Sequence, residues 1–464
     1  MSTEQRTWKS LLRNWEYKVA IFIGIYFLFS HVLLETTDAV KEKGLKSHLK
    51  VLPEEVIDYY GKKPFPENVD KFAYMQYATN YDYLNLAIIN FIHLRNGGTE
   101  IPHLVIVYDE ILQYYASDKW SDLFQVANHY KITLKSAPLI KANYNDDSNW
   151  AASFTKFHIF NQVEYDRIVF FDSDSMFVKI PEDIDFENME SEFTNIDELF
   201  KLPKEISFAL PQAYWLNKVV EGEKPKPRMK VEIPNKKRYS LRMKKLVSDL
   251  ESTNNFNALP SVLYENHKLD NPEHFFANHI MVITPSKSTF NKIMKYVYNP
   301  WWWSFTNRAN LRKDKDYDME ILNKFLDNEL RNKNINVGIL PHRVYGVLTG
   351  EFGEEWHERF VVEPQYLPFI NKKSNKGWNP IEFFKKIKMV HFSDNPIPKP
   401  WEEETNDAPY NTKKIYCANG DMEKYNKEFP TYKPRLTDDC DSVDIWNWIR
   451  KEFYRERKGY WYVE

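Results

Sequence analysis

Cysteine is nearly absent: the 464 residues carry two, Cys417 and Cys440. Two thiols cannot build a zinc cage by themselves, and a chain this long buries a core without staples, so small disulfide scaffolds are excluded. Glycine is scarce as well, at 13 residues, which excludes glycine-rich linkers and collagen-like repeats. Charge of one sign is missing too: 63 Lys and Arg stand against 66 Asp and Glu, a net charge of −3. No global cationic field exists to neutralise phosphates, and nucleic acid is not an expected partner. No Asn-x-Ser/Thr acceptor occurs, so glycosylation offers no indication of compartment. No internal repeat is visible. What the chain has in excess is aromatic surface, with 14 Trp, 29 Tyr and 31 Phe. That is more flat area than a core needs, and sugar-handling proteins share the trait.

Long apolar runs are limited to one, Val19–Leu34, preceded by Arg6, Lys9, Arg13 and Lys18 and followed by Glu35 and Asp38. At about 1.5 Å per residue it covers about 24 Å as a helix, suited to the thinner early secretory membranes. Basic residues on its N-terminal side predict a type II anchor: residues 1–18 in the cytosol, 19–34 in the membrane, the rest in the lumen. A cleaved signal peptide and a buried helix are the alternatives. Residues 35–70 are charged, without a clean apolar period, and are expected to form a stem.

From Lys71 onward, apolar runs alternate with amphipathic ones. The pattern predicts a strand over 71–79, a helix over 83–95, a strand in His103–Glu110, a helix near 121–130, a strand over 132–135, a helix around 151–161, and a strand running through RIVFFDSDSMFV at 167–178. This order points to an α/β fold, a doubly wound, mostly parallel sheet whose ligands lie at the carboxyl ends of strands. Val169, Phe170 and Phe171 deliver Asp172, Ser173 and Asp174 to such an end. Two carboxylates at i and i+2 suit Mg²⁺ or Mn²⁺ held together with substrate phosphates. A strand followed by D-x-D also begins the aspartyl-phosphatase motif, where Asp438 and Asp439 would have to supply the later acids. A second stretch, KMVHFSDNPIPKPW at 388–401, places His391 at a strand end and Lys399 beyond a proline-fixed loop. His391 could complete a metal site with two distant acids, or be a satisfied buried histidine; Lys399 could neutralise a diphosphate.

With these stretches the chain resembles glycosyltransferase family 8, the glycogenin-like retaining enzymes with the GT-A fold. The landmarks are YATNYDYLNLA at 77–87, FTKFHIF at 154–160, RIVFFDSDSMFV at 167–178, DYDMEILNKF at 316–325, LPHRVYG at 340–346 and HFSDNPIPKPW at 391–401. Within the family it looks closest to fungal Golgi N-acetylglucosaminyltransferases that cap mannose chains of N-glycans. The resemblance implies that Asp172, Asp174 and His391 bind Mn²⁺, that Lys399 sits on the UDP diphosphate, and that Thr79, Asn80 and Tyr83 hold uridine. It also implies that Ser173 and Lys156 lie near the donor and that Asp318 stands by the sugar's reacting face as nucleophile or electrostatic stabiliser. The expected donor is UDP-GlcNAc, the acceptor a glycan, the location the Golgi membrane. UDP-glucose, UDP-galactose and a membrane-anchored lectin are the alternatives. The family's N-(A/S)-G appears here as Ala277, Asn278 and His279, and the Gln expected after Asp318 is Met319, which bears on donor identity. The GT-A domain is expected over 71–401, with 402–464 an extension packed on it.

Three further expectations concern single features. The basic segment 223–245, ten basic residues against two acids, is a solvated loop or an acceptor-side insertion. Trp301, Trp302 and Trp303 cannot all face one core, so at least one is expected in a cleft or at a surface. Cys417 and Cys440, alone in an oxidising lumen, are expected to pair.

Overall fold

The apolar runs assemble into one eight-stranded sheet. Its members are β1 (Leu49–Val51), β2 (Phe72–Ala78), β3 (His103–Asp109), β4 (Ile132–Ala137), β5 (Arg167–Phe171), β7 (Phe208–Leu210), β8 (Ile280–Ile283) and β9 (Val337–Ile339). Their spatial order is β1-β9-β7-β8-β5-β2-β3-β4. The sheet is parallel except at β8, which runs against both β5 and β7. The molecule is described by a computed structural model covering residue 18 and residues 47–115, 117–142, 148, 150–213, 236–253, 256–259, 276–299, 312–353, 380–392, 399–401, 414–418, 435–437 and 439–460.

Unbroken apolar strands arise because both faces of the sheet are covered. Val169 and Phe171 point into one cluster with Tyr74, Ile106 and Phe91, while Ile168 and Phe170 point into the other with Met75, Phe157 and Phe325. The helix Tyr81–Asn96 covers the first face and is buried almost continuously from Leu84 to Leu94. Its start is set by Asn80, whose side chain accepts from the Tyr83 N–H at 2.9 Å. On the second face the segment Ser153–Asn161 is a 3₁₀ rather than an α-helix.

The stem expected over 35–70 is overturned from Leu49 onward. Leu49–Val51 pair in register with Val337–Ile339, and the helix Glu54–Gly61 buries Val56, Ile57 and Tyr60 in the core. A Cβ at Gly338 would lie 2.6 Å from the Leu52 side chain, so glycine is what lets the incoming segment lie against β9. Its strand is only three residues long and flanked by lysines and acids, too short for a period to show.

A second correction concerns RIVFFDSDSMFV. It is two strands in two sheets: β5 ends at Phe171, and β6 (Ser175–Phe177) joins β10 (Val347–Leu348) and β11 (Met389–His391) in a three-stranded sheet of order β10-β11-β6. A third cluster holds this small sheet against the C-terminal helix Val443–Tyr460, whose Trp446 and Trp448 are fully buried. Beside that helix, β12 (Ile415–Cys417) pairs with β13 (Arg435–Thr437), and Cys417 is bonded to Cys440. The run 19–34 and Trp301–Trp303 lie outside the described residues; among the described residues no helix is long and apolar enough to cross a membrane. The basic segment from 236 on belongs to the helix Lys236–Thr253, and its part 223–235 lies outside the described residues.

Candidate active site

Strands β2 and β5 are parallel neighbours, so the residues after Ala78 and after Phe171 emerge side by side. The strand order turns outward in both directions there, the usual position for a ligand in such a sheet. Asp172, Ser173 and Asp174 span the gap between the two sheets. The Asp172 N–H donates to the His279 carbonyl at 2.8 Å, while the Asp174 carbonyl accepts from the Phe392 N–H at 2.9 Å. Ser173, expected near the donor, is instead turned inward and 1% exposed. Its hydroxyl donates to the Tyr77 carbonyl at 2.7 Å and its carbonyl accepts from Asn90 Nδ2 at 3.0 Å. The middle residue anchors the turn, leaving the outer two carboxylates to face the cleft.

His391 ends β11 opposite Ser175, which brings it to Asp174. One ligand atom from each of Asp172, Asp174 and His391 lies within 4.8 Å of the others, close enough for one cation to touch all three. Two carboxylate oxygens and an imidazole nitrogen form the mixed donor set that suits Mn²⁺ or a similar divalent ion. On one side Lys399 Nζ donates to Asp174 Oδ2 at 2.8 Å and lies 3.2 Å from the Tyr83 hydroxyl. Its ammonium stands 5.7 Å from the ring centres of both Tyr83 and Trp401, a cation held by two aromatic faces; the loop 393–398 expected to fix it lies outside the described residues. On the other side Lys156, buried, reaches Asp318 Oδ2 at 2.6 Å and Asp172 Oδ1 at 3.1 Å.

Burial sets the electrostatics of the cluster. It pushes Asp172 up to about 7, with Lys156 opposing and the nearby Asp174 and Asp318 charges adding to the rise. Burial works the same way on Asp174 and Asp318 but is outweighed, by His391 and Lys399 at Asp174 and by Lys156 at Asp318, and both carboxyls sit below their usual range. The two lysines are likewise penalised by burial yet held above the usual lysine range, Lys156 by Asp172 and Asp318, Lys399 by Asp174 and Tyr83. Burial and the same acids raise the Tyr77 phenol well above its ordinary value. The acids and the two ammonium groups thus largely balance one another, and a divalent cation here would add the positive charge that a diphosphate can meet.

Asp318 opens the helix Asp318–Arg331, where unpaired N–H groups favour a carboxylate. Asn278 Nδ2 donates to Asp318 Oδ2 at 2.7 Å. The expected residues Tyr83, Lys156, Asp172, Asp174, Asp318, His391 and Lys399 are therefore gathered in one place; Thr79 and Asn80 stand at the carboxyl end of β2, with Asn80 engaged as the helix cap. Sequence reasoning missed Tyr77, Asn90 and the structural part played by His279. A polar Asn in the apolar run LAIINFI was the available signal, since a buried amide needs partners. Asp438 lies outside the described residues, Asp439 sits beside Gly353 and Trp446, and the acids facing Asp172 are Asp174 and Asp318, so the aspartyl-phosphatase arrangement is not formed by the described residues.

No family model matches the chain. It is 78% identical over 463 residues to a glucose N-acetyltransferase 1 of Candida albicans, spanning 100% of both chains. It is 46% identical over 465 residues to the protein of the same name from Debaryomyces hansenii, spanning 97% of each. A solved galactosyltransferase, LgtC, in complex with donor and acceptor sugar analogs aligns loosely, over 71% of this chain and 90% of that one, at 10% identity and a TM-score of 0.35.

Proposed function

The chain belongs to the glucose N-acetyltransferase 1 family, and on that premise we propose that it transfers N-acetylglucosamine from UDP-GlcNAc, with retention, onto mannose-containing N-glycan chains. The single observation that carries the reading is the Asp172, Asp174 and His391 cluster with Lys399 at its rim. These three side chains would hold Mn²⁺, which when bound neutralises the donor diphosphate and eases its departure. Lys399, placed by Tyr83 and Trp401, adds a fixed positive charge where the leaving group gathers negative charge. Asp318, kept ionised by Lys156 and Asn278, stands ready at the sugar's reacting face, where a carboxylate stabilises a developing positive centre. No strong general base is required, because a departing phosphate oxygen can take the acceptor hydroxyl's proton. In this reading Val19–Leu34 is an uncleaved type II anchor in the Golgi membrane, with the catalytic domain in the lumen.

The test is UDP release by the purified chain with Mn²⁺, measured across UDP-GlcNAc, UDP-glucose and UDP-galactose with a mannose-terminated oligosaccharide as acceptor. UDP-GlcNAc should be turned over fastest and chelation should stop the reaction. Preference for another donor overturns the donor assignment, and glycan binding without UDP release makes the protein a lectin. For the anchor, full-length chain retained in carbonate-washed membranes is the expected result, and a soluble product starting after about residue 35 excludes it.

A further inference from the structure

Asp172 and His391 belong to different sheets, and no strand pairing joins β5 to β11. Besides Asp174, His279 touches both. His279, 4% exposed, precedes β8 and accepts the Asp172 N–H on its carbonyl at 2.8 Å. Its imidazole lies against that of His391, ring centres 4.9 Å apart and planes 14° from parallel. The ring also hydrogen bonds to the backbone of Gly346, the residue immediately before β10. Since β10 pairs with β11, with Leu348 opposite His391, His279 holds the backbone of one ligand, the ring face of another and the edge of the small sheet.

We propose that His279 is a positioning residue: its ring fixes the plane of the His391 imidazole and thereby sets the affinity of the Asp172, Asp174 and His391 cluster for a divalent cation. The inference rests on the metal-binding reading of that cluster. The torsion that turns an imidazole about its Cβ–Cγ bond is broad and roughly two-fold, so nothing within His391 itself chooses one plane. A parallel ring at this distance biases His391 toward the stacked plane, because offset stacking is one of the two arrangements that aromatic pairs prefer. Outer contacts that orient a metal-ligating histidine are typically worth about 10–100-fold in metal affinity.

The experiment measures Mn²⁺ binding in the presence of UDP, by the loss of the free-ion electron paramagnetic resonance signal, alongside Tm, for the wild-type chain and three variants. His279→Phe keeps a flat ring and removes the N–H. His279→Asn keeps an N–H donor and removes the ring, and His279→Ala removes both. Kd for Mn²⁺ should rise about tenfold or more in His279→Asn and His279→Ala and stay within about threefold of wild type in His279→Phe. A purely structural role predicts that Kd follows Tm across the three variants whatever their shape; that result overturns the proposal. So does His279→Asn binding like wild type, which would assign the effect to the Gly346 contact. If the wild type binds Mn²⁺ and all three variants match it, the inference fails and the metal reading stands. If the wild type binds none, both fail.

Discussion

The two sides of the cleft are built differently. One side, Asp172, Lys156, Asp318 and Asn278, stands on the large sheet and the elements packed against it, each group held by others of the same wall through distances of 2.6 to 3.2 Å. The other side is His391 at the end of β11 in the three-stranded sheet and Lys399 beside Trp401, and a distant segment packs against it. Tyr454 of the C-terminal helix donates to the Pro400 carbonyl at 3.1 Å, and Phe453 lies 5.7 Å from Trp401. Asp174 is the joint, ion-paired with Lys399, 3.4 Å from His391 Nδ1 and separated from Asp172 by one residue in the chain. The first wall is held by its own charges, and the second is braced by the C-terminal helix. A cation between them would bind one built half to one assembled half.

Cutting the joint should have the largest effect. Asp174→Asn removes one metal ligand and the counterion of Lys399 while keeping the shape, and turnover with Mn²⁺ and UDP-GlcNAc should fall at least about 100-fold. The far-UV circular dichroism should not change. Activity within about threefold of wild type would mean that the two walls do not meet at this carboxylate.

Loosening the self-held wall comes next. Lys156→Met leaves Asp172 and Asp318 buried without their shared cation, and losing one member of a buried ion pair costs about 3–5 kcal/mol. The variant should also deepen a pH signature that the raised Asp172 already gives the wild type. Without Lys156, the folded pKa of Asp318 rises above its unfolded value, so between the two the folded state binds the extra proton. Stability should therefore be highest near pH 4 and fall as pH rises toward neutrality. Chemical denaturation of wild type and variant at several pH values checks the sign, and a variant as stable as wild type at pH 7 would show that the first wall needs no internal charge balance.

The same contrast explains what could be read from the chain. Groups delivered by continuous apolar strands were legible in position: VFF before Asp172 and MV before His391 announce buried strands and put both side chains at strand ends, while the short pattern left His391 open between a metal ligand and a satisfied buried histidine. The mostly parallel sheet followed from the same runs. What did not show were parts defined by the partner rather than by their own pattern. Leu49–Val51 is a strand because β9 lies beside it; β6 is separate from β5 because the small sheet draws it away; Ser173 faces inward because Tyr77 and Asn90 receive it. The His279 ring is of that kind as well, since its use depends on a histidine over a hundred positions further along, and no local spacing encodes that meeting.

Breaking the brace of the second wall should have a smaller effect. The Cys417–Cys440 bond closes a loop of sequence separation 23 beside the C-terminal helix, worth about 3 kcal/mol in the chain-entropy model. Mild reduction, or Cys417→Ser with Cys440→Ser, should lower Tm and raise KM for the donor more than it lowers kcat, because Lys399 and Trp401 lose their backing while Asp172 and Asp318 do not. An equal loss in both walls, seen as a fall in kcat with KM unchanged, would remove the distinction.

The smallest expected effect comes from beneath the joint. Asn90 Nδ2 donates to the Ser173 carbonyl at 3.0 Å and to Gln76 Oε1 at 3.1 Å, and Gln76 Nε2 donates to the Ala87 carbonyl at 3.0 Å. All of these groups are buried, so Asn90→Leu, close to isosteric, strands two acceptors and should cost about 1–3 kcal/mol. Gln76→Leu leaves one Asn90 N–H without an acceptor and removes only a second donor from the Ala87 carbonyl, already bonded in the helix, while the Asn90 bond to Ser173 is kept, so it should cost less. The two substitutions share one partner, and the double variant should be more stable than the sum of the single losses indicates. Mn²⁺ affinity should fall in Asn90→Leu and be kept in Gln76→Leu, because only the first releases the turn that aims Asp172 and Asp174. Equal Mn²⁺ affinity in both variants would place the hold on that turn in the Ser173 hydroxyl and the Tyr77 carbonyl rather than in the helix below.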